Sequence, residues 1–336
     1  MITYNLSESD KATRISVSLP LLKGSIKTVL SSWGSGIDEI SYIDSESESH
    51  LLTLSYQNAF PTMNNPSLAG RTIGPNSGRM KGNTLLHIDE NDLAVDIFLS
   101  PNEGSSQLHG GKHNLAGINW KYDGVSIDET MNQLTFSFST SLSAGLEGWP
   151  GNRSFRTSYT FSSDGTIDIS LTSTSDQNTY INMTNHLYWM RDPIVLNVFS
   201  DKYISCNNAF LPIDVCPLEK SMVKERAFCI KKEAVFNNGF LLDCQKRDNS
   251  TLIHAASMQH RSGLMIDMYT DAPALVVYTG DYLDNTSLLS DGSVSFPGCA
   301  IALEPQELFP VTKATLTIPS VPYKRCIRYS FKSLSP

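Results

Sequence analysis

Four short stretches carry side chains able to move protons or hold a polar ligand: "NEGSSQLHGGKHNLAGINW" at 102–120, "TNHLYWM" at 184–190, "GCAIALEPQELFP" at 298–310 and "GRTIGPNSGRM" at 70–80. In the third, the apolar run "AIAL" leads into Glu304 and then Pro305, which lacks the amide proton a ladder needs. A carboxylate at the end of a buried strand is poorly solvated, which raises its pKa and suits it to be a base near neutral pH. A strand-end glutamate paired with an arginine fits the same residues. In the second stretch, strand alternation puts His186 and Tyr188 on one face and Asn185 and Leu187 on the other. An imidazole beside an aromatic ring suits a sugar, whose C–H groups stack on the ring while its hydroxyls meet the nitrogen. A buried histidine satisfied by a carbonyl fits equally well.

His109 and His113 stand four apart, a metal-binding spacing on a helix, but Gly110 and Gly111 break any helix there, so no metal site is expected. His109 alone reads as a turn histidine or as a ligand contact on a glycine loop that brings backbone close. The glycines around Arg71 and Arg79 satisfy neither GxGxxG nor GxxxxGK[ST], so a nucleotide cofactor is not expected either. Both arginines could clamp vicinal hydroxyls with their fork of donors, or form ion pairs.

The elements that must hold these groups are strands. Period-2 alternation recurs in "LTLSY" at 52–56, "LTFSFST" at 134–140, "TIDISLTST" at 166–174 and "ATLTIP" at 314–319. Turn signals separate them: "SSDGT" at 162, "NNGF" at 237 and "SDGSVSFPG" at 290. The stretch that reads as a short helix is "LEKSMVKERAF" at 218–228. No linker composition or 20–50-residue repeat divides the 336 residues, so one all-β domain, a large antiparallel β-sandwich over 1–336, is expected.

Composition narrows the function. Hydrophobic residues make up 40% and charged ones 18% of the chain; the net charge is −8 with no basic block, so no nucleic-acid partner is expected. No apolar run is long enough to span a bilayer and the N-terminus has no export pattern, so no membrane association and a cytoplasmic protein with reduced cysteines are expected.

In this order, "GR" at 70, "NEGSSQLHGG" at 102, "GLEGWPGN" at 145, "TNHLYW" at 184 and "LEPQELFP" at 303 resemble the aldose 1-epimerase (galactose mutarotase) family over roughly residues 24 to 330. The resemblance implies a large antiparallel supersandwich with one sugar cleft and a protein that interconverts the α and β anomers of a free aldose such as glucose or galactose, without metal or other cofactor. It implies that Glu304 is the base on the anomeric hydroxyl and His186 the acid on the ring oxygen, with His109 and an arginine of the GR loop, Arg71 or Arg79, on the sugar and Gln306 and Trp189 as further wall residues. Asn237, in "FNNGFLLD", stands where the family usually carries a sugar-binding aspartate. A hexose-6-phosphate 1-epimerase, with Arg71, Arg79 and Arg153 as phosphate contacts, and a sugar-binding protein of the same fold are the alternatives. A monomer or a homodimer is compatible with the chain.

Overall fold

Along Arg153–Ser162, burial strictly alternates through its first half, with Phe155, Thr157, Tyr159 and Phe161 inside and Ser154 and Arg156 outside. That is the period of a strand with one face on a core. The computed structural model describes residues 1–9, 12–57, 65–90, 92–191, 194–219, 223–224, 227–230, 235–242 and 252–333. Its largest sheet has ten strands in the order Lys121–Asp128, Gln133–Leu142, Arg153–Ser162, Thr166–Ser175, Tyr323–Ser333, Leu264–Thr270, Ile253–His260, Ile194–Val198, Ala227–Ile230 and Val223–Lys224. A six-stranded sheet runs Tyr188–Met190, Ala300–Gln306, Ala274–Tyr278, Asn237–Leu241, Lys202–Cys206 and Pro212–Pro217. Five N-terminal strands from Thr3–Glu8 to Ser49–Leu51 form a third sheet. All pairings between these strands are antiparallel, and one contiguous core takes Val17 and Ile26 from the third sheet, Phe136 and Tyr159 from the first, and Leu275 and Leu303 from the second.

The strands at 134–140 and 166–174 lie where alternation placed them, and the turns after Ser162 and Ser290 use glycines at positive φ, Gly165 and Gly292. Four expectations change. The stretch at 52–56 is extended but makes isolated bridges, Thr53 to Trp189 and Tyr56 to Leu289. Thr53 and Ser55 are buried as well as Leu52, Leu54 and Tyr56, so both faces are covered. Of 314–319, Leu316–Thr317 pairs as a two-residue strand with Thr179–Tyr180. "NNGF" is strand, within Asn237–Leu241: Gly239 is there because a Cβ would lie 2.1 Å from Leu308 Cδ1, not because the chain turns. And 218–228, read as a helix, holds strands at Val223–Lys224 and from Ala227, the latter paired antiparallel to Ile194–Val198; Leu218 and Glu219 are irregular, and positions 220–222 and 225–226 lie outside the described residues. Pairing at a sheet edge overrides a weak local helix preference. Helical turns among the described residues are two 3₁₀ turns, Leu115–Gly117 and Leu146–Gly148. No helix among them is long and apolar enough to cross a membrane.

Arg71 ties the third sheet to the loop before Thr72–Ile73. Its Nη1 donates to Asp38 Oδ1 at 2.7 Å, and the two side chains are 0% and 4% exposed. Truncating one partner of such a pair strands the other charge in a dry interior. Asp38→Ala is therefore expected to lower unfolding free energy by about 3–5 kcal/mol in urea titration. A loss below about 1 kcal/mol, the level of an exposed pair, would show that water reaches Arg71.

Candidate active site

Residues directly opposite one another on neighbouring antiparallel strands share a sheet face. In the six-stranded sheet Tyr188 pairs with Ala302, Ala302 with Tyr278 and Tyr278 with Asn237. Two positions further along Ala300–Gln306, Glu304 faces the same way, and after another two so does Gln306. Tyr188, Tyr278, Asn237, Glu304 and Gln306 all line one cavity of about 280 Å³, joined there by Arg79, His109 and His186.

The opposite face of this sheet is core. Trp189 is one residue out of phase with Tyr188; it is 1% exposed, with its ring 5.1 Å from Tyr329 and 6.4 Å from Phe331. It is a packing residue, not the cleft wall expected of it, and Tyr188 takes that place. Pro305 does not end the ladder: the strand runs to Gln306, pairing Pro305 with Leu275. Leu303 N donates to Leu187 O on the other side. Pro305 nitrogen points to that same side, beyond the last paired residue of the Tyr188 strand, so its missing proton costs no bond.

His186 is positioned by main chain. Its N–H donates to Arg71 O, its carbonyl accepts from Gly70 N–H, each at 2.8 Å, and Asn185 Nδ2 donates to Gly70 O at 2.8 Å. Arg71 thus serves the site through its backbone. Its guanidinium is buried against Asp38 and is not part of the cleft lining, which corrects its expected role as a clamp on hydroxyls. Arg153, the other buried arginine considered for a phosphate, donates to Gly151 O and Ser143 O and also stands outside the cleft. Arg79 does line it, with its guanidinium forked onto the Glu103 carboxylate through Nε and Nη2, which holds that carboxyl below its ordinary value.

His109 adopts φ of 57°, a left-handed conformation uncommon outside glycine. The next residue, Gly110, packs so closely that a Cβ would lie 2.5 Å from Pro75 Cδ and 2.6 Å from Gly74 O. His109 Nδ1 lies 2.8 Å from Ser77 O and must donate to that carbonyl, leaving Nε2 for the cleft. The ring stands edge-on to His186, centroids 5.0 Å apart at 85°. His113 points outward and bonds Glu147 Oε1 at 2.6 Å, so the two histidines of that stretch do not converge.

His186 Nε2 lies 3.4 Å from Glu304 Oε1, with both side chains about 95% buried. Burial raises the Glu304 carboxyl and lowers both imidazoles to about 4; the positive charge of His186 adds to the effect on His109, and Glu304 opposes it. Tyr188 and Tyr278 are pushed up by burial and keep their hydroxyl protons. Gln306 Oε1 and His186 Nδ1 are buried with no hydrogen-bond partner among the described residues, a cost that a polar ligand could remove. The ligating atoms of His109, His186 and Glu304 fall within 4.8 Å of one another, so these are also the cleft groups that could converge on a cation. Tyr278 and Ser77 were not read from sequence. Tyr278 differs from other strand tyrosines by parity with Val276 alone, and nothing local marks Ser77 as a partner of His109.

The sequence profile of the family described as aldose 1-epimerase matches residues 21–321. An aldose 1-epimerase of Escherichia coli is 28% identical over 207 residues, a match spanning 56% of this chain and 58% of that protein. A galactose mutarotase of Sus scrofa is 26% identical over 289 residues, 82% of this chain and 80% of that protein. Among solved structures, an aldose epimerase homologue from C. elegans superposes with a TM-score of 0.77 at 19% identity, covering 95% of this chain and 99% of that one. A galactose 1-epimerase from Lactobacillus acidophilus superposes with a TM-score of 0.77 at 18% identity, covering 100% and 99%. These structures share the antiparallel fold described above, and with a profile match over most of its length the chain belongs to the aldose 1-epimerase family.

Proposed function

We propose that this protein is an aldose 1-epimerase that interconverts the α and β anomers of a neutral free aldose. The observation that carries the reading is a carboxyl and an imidazole held 3.4 Å apart, both out of water, in a cleft of sugar-binding character. Glu304 takes the proton of the anomeric O1 hydroxyl while His186 gives one to the ring oxygen O5. The C1–O5 bond breaks and an open-chain aldehyde forms. Rotation about C1–C2 presents the other carbonyl face, and reclosure with both transfers reversed yields the other anomer. His109, Asn237, Gln306 and Arg79 hold hydroxyls, so both transfers occur in one geometry.

The active form carries one proton on the pair. Glu304 as carboxylate with His186 protonated is net neutral, and so is the tautomer with the proton on Glu304. A sugar phosphate would need spare cations at the cleft. Arg71 and Arg153 are buried elsewhere and Arg79 is already forked to Glu103, which favours the neutral sugar.

Three outcomes are expected. Polarimetry of freshly dissolved α-glucose and α-galactose, corrected for spontaneous and buffer-catalysed rates, should show kcat lowered about 10²-fold or more in Glu304→Gln and in His186→Ala with the fold intact by circular dichroism. Near-wild-type rates in either variant would remove the mechanism. The pH profile follows from the same burial. A second proton on the pair must go to His186, whose value is lowered from 6.5 to about 4, so the acid limb of kcat/KM should lie near pH 4. An acid limb centred at 6.5 would mean a hydrated His186.

The third concerns Asn237, which lines the cleft and which the resemblance matches to the family's aspartate. A carboxylate makes stronger hydrogen bonds to two hydroxyls than an amide, which has one acceptor oxygen. Asn237→Asp should lower KM for glucose or galactose about ten-fold, on the order of 1–2 kcal/mol. Unaltered KM for every aldose tried would separate Asn237 from sugar recognition.

A further inference from the structure

His109, His186 and Glu304 each bring a ligating atom to within 4.8 Å of the other two. Zinc holds imidazole nitrogen and carboxylate oxygen at about 2.0–2.2 Å, so two ligands of a tetrahedral site stand about 3.4 Å apart. His186 Nε2 and Glu304 Oε1 already have that separation, 3.4 Å. The third atom has to approach by no more than about 1.4 Å to complete the same edge.

The hydrogen bonding of His109 suits a ligand as well. A ligating imidazole needs one bare nitrogen, and its other nitrogen normally donates to a carbonyl or carboxylate. His109 Nδ1 donates to Ser77 O at 2.8 Å, which leaves Nε2 with its lone pair for the cleft. The ring stands at 85° to that of His186, so the two imidazoles reach the carboxylate from different directions. Gln306 Oε1, buried and without a hydrogen-bond partner among the described residues, lines the same cavity and can accept from a water in an open fourth position. Arg79 also lines it, with its charge answered by Glu103. Two imidazoles and one carboxylate suit zinc or copper, whereas magnesium and calcium take oxygen ligands. Asp44, Glu48 and His50 come equally close to one another, but at a hairpin end where Glu48 is exposed and the Glu46 and Glu48 amides hold Asp44 Oδ1.

We propose that the cleft is also a site for a divalent transition cation, Zn²⁺ above all, held by His109, His186 and Glu304 and excluding the sugar, so that the ion is a competitive inhibitor. The inhibition rests on the aldose 1-epimerase reading; the binding does not. The one proton of the pair passes to solvent as Zn²⁺ takes the lone pair of His186 and the Glu304 carboxylate. The acid then has no proton for O5, and the base is a poorer acceptor from O1.

Calorimetric titration with ZnCl₂, and with MgCl₂ as control, tests the binding in wild type, His109→Ala, Glu304→Gln and His50→Ala, each shown to be folded by circular dichroism. Wild type should take up one Zn²⁺ with Kd about 10 μM or tighter, and no Mg²⁺. Affinity should fall at least about ten-fold in His109→Ala and in Glu304→Gln, and stay within about two-fold in His50→Ala. In mutarotation of α-galactose, Zn²⁺ should raise KM at constant kcat, and EDTA should reverse the effect. Absence of saturable Zn²⁺ binding, or binding that survives in both cleft variants or is lost in His50→Ala, overturns the site, and turnover by wild type then leaves the epimerase reading standing. Inhibition that lowers kcat with KM unaltered also overturns it. Binding lost in both cleft variants, with no aldose turned over by wild type, keeps the site and defeats the epimerase reading.

Discussion

The site depends on removing a carboxyl and an imidazole from water together. Burial raises the pKa of an acid and lowers that of a base, because both shifts disfavour the charged form. In Glu304 and His186 the two shifts run in opposite directions across a 3.4 Å gap. Both therefore favour the arrangement in which the proton has left the imidazole and the carboxylate has gained one. On the proposed mechanism that is the state reached when the ring opens, with one proton passed to O5 and another taken from O1. The desolvation that disfavours the charged, reacting form of the pair is relieved as the reaction proceeds, and this is how environment assigns the roles of acid and base.

Holding two such groups still requires rigid supports. Glu304 lies in a strand buried along its whole length, with Val276 on the neighbouring strand opposite it. His186 is fixed by two main-chain hydrogen bonds to Gly70 and Arg71, whose loop is anchored in turn by the buried bond from Arg71 to Asp38. The chain from Asp38 through Arg71 to His186 links the N-terminal sheet to the cleft. Side-chain charge acts there at a distance, through the backbone it immobilises. His109 sits on a different loop but bonds the Ser77 carbonyl, in the same 70–80 stretch whose Gly70 and Arg71 hold His186, so one loop serves both imidazoles, which meet edge to face.

How much of this was legible in the sequence divides along physical lines. Parity within a strand is local, so His186 and Tyr188 were assigned to one face correctly, and the same rule, applied one residue further, would have sent Trp189 to the core. A strand-end glutamate can be read, but whether Pro305 ends a ladder depends on where the neighbouring strand stops, which the chain does not state locally. Arg71 and Arg79 sit eight apart in one glycine-rich loop, and nothing in their spacing tells which faces a cleft; Asp38, 33 residues before Arg71, decides it. The helix read at 218–228 failed for the same reason, since its strand from Ala227 pairs with Ile194–Val198 and carries Val223–Lys224 on its other edge. Long-range partners were what sequence could not supply. The epimerase motifs stood in for those partners at Glu304, His186, His109 and Gln306, and misled at Arg71 and Trp189, where the structure puts the motif residue behind the cleft.

Charge at the cleft bears on what it can accept. The protein as a whole carries −8, yet the charge at this cavity is compensated: Arg79 by Glu103 and, on the proposed mechanism, Glu304 by the one proton the pair carries. Asn237 adds an amide where an aspartate would have added a negative charge. A ligand bearing its own negative charge would have to compete for Arg79 with the half-exposed Glu103 or enter a desolvated site uncompensated, and the latter is costly. A neutral polyol meets no such penalty: its hydroxyls find Gln306 Oε1, the Tyr188 and Tyr278 hydroxyls and the free edge of His109, and its C–H faces find aromatic rings. Selectivity among such ligands then comes from hydrogen-bond geometry and ring contact, which salt screens little, so recognition of this kind should be nearly independent of ionic strength.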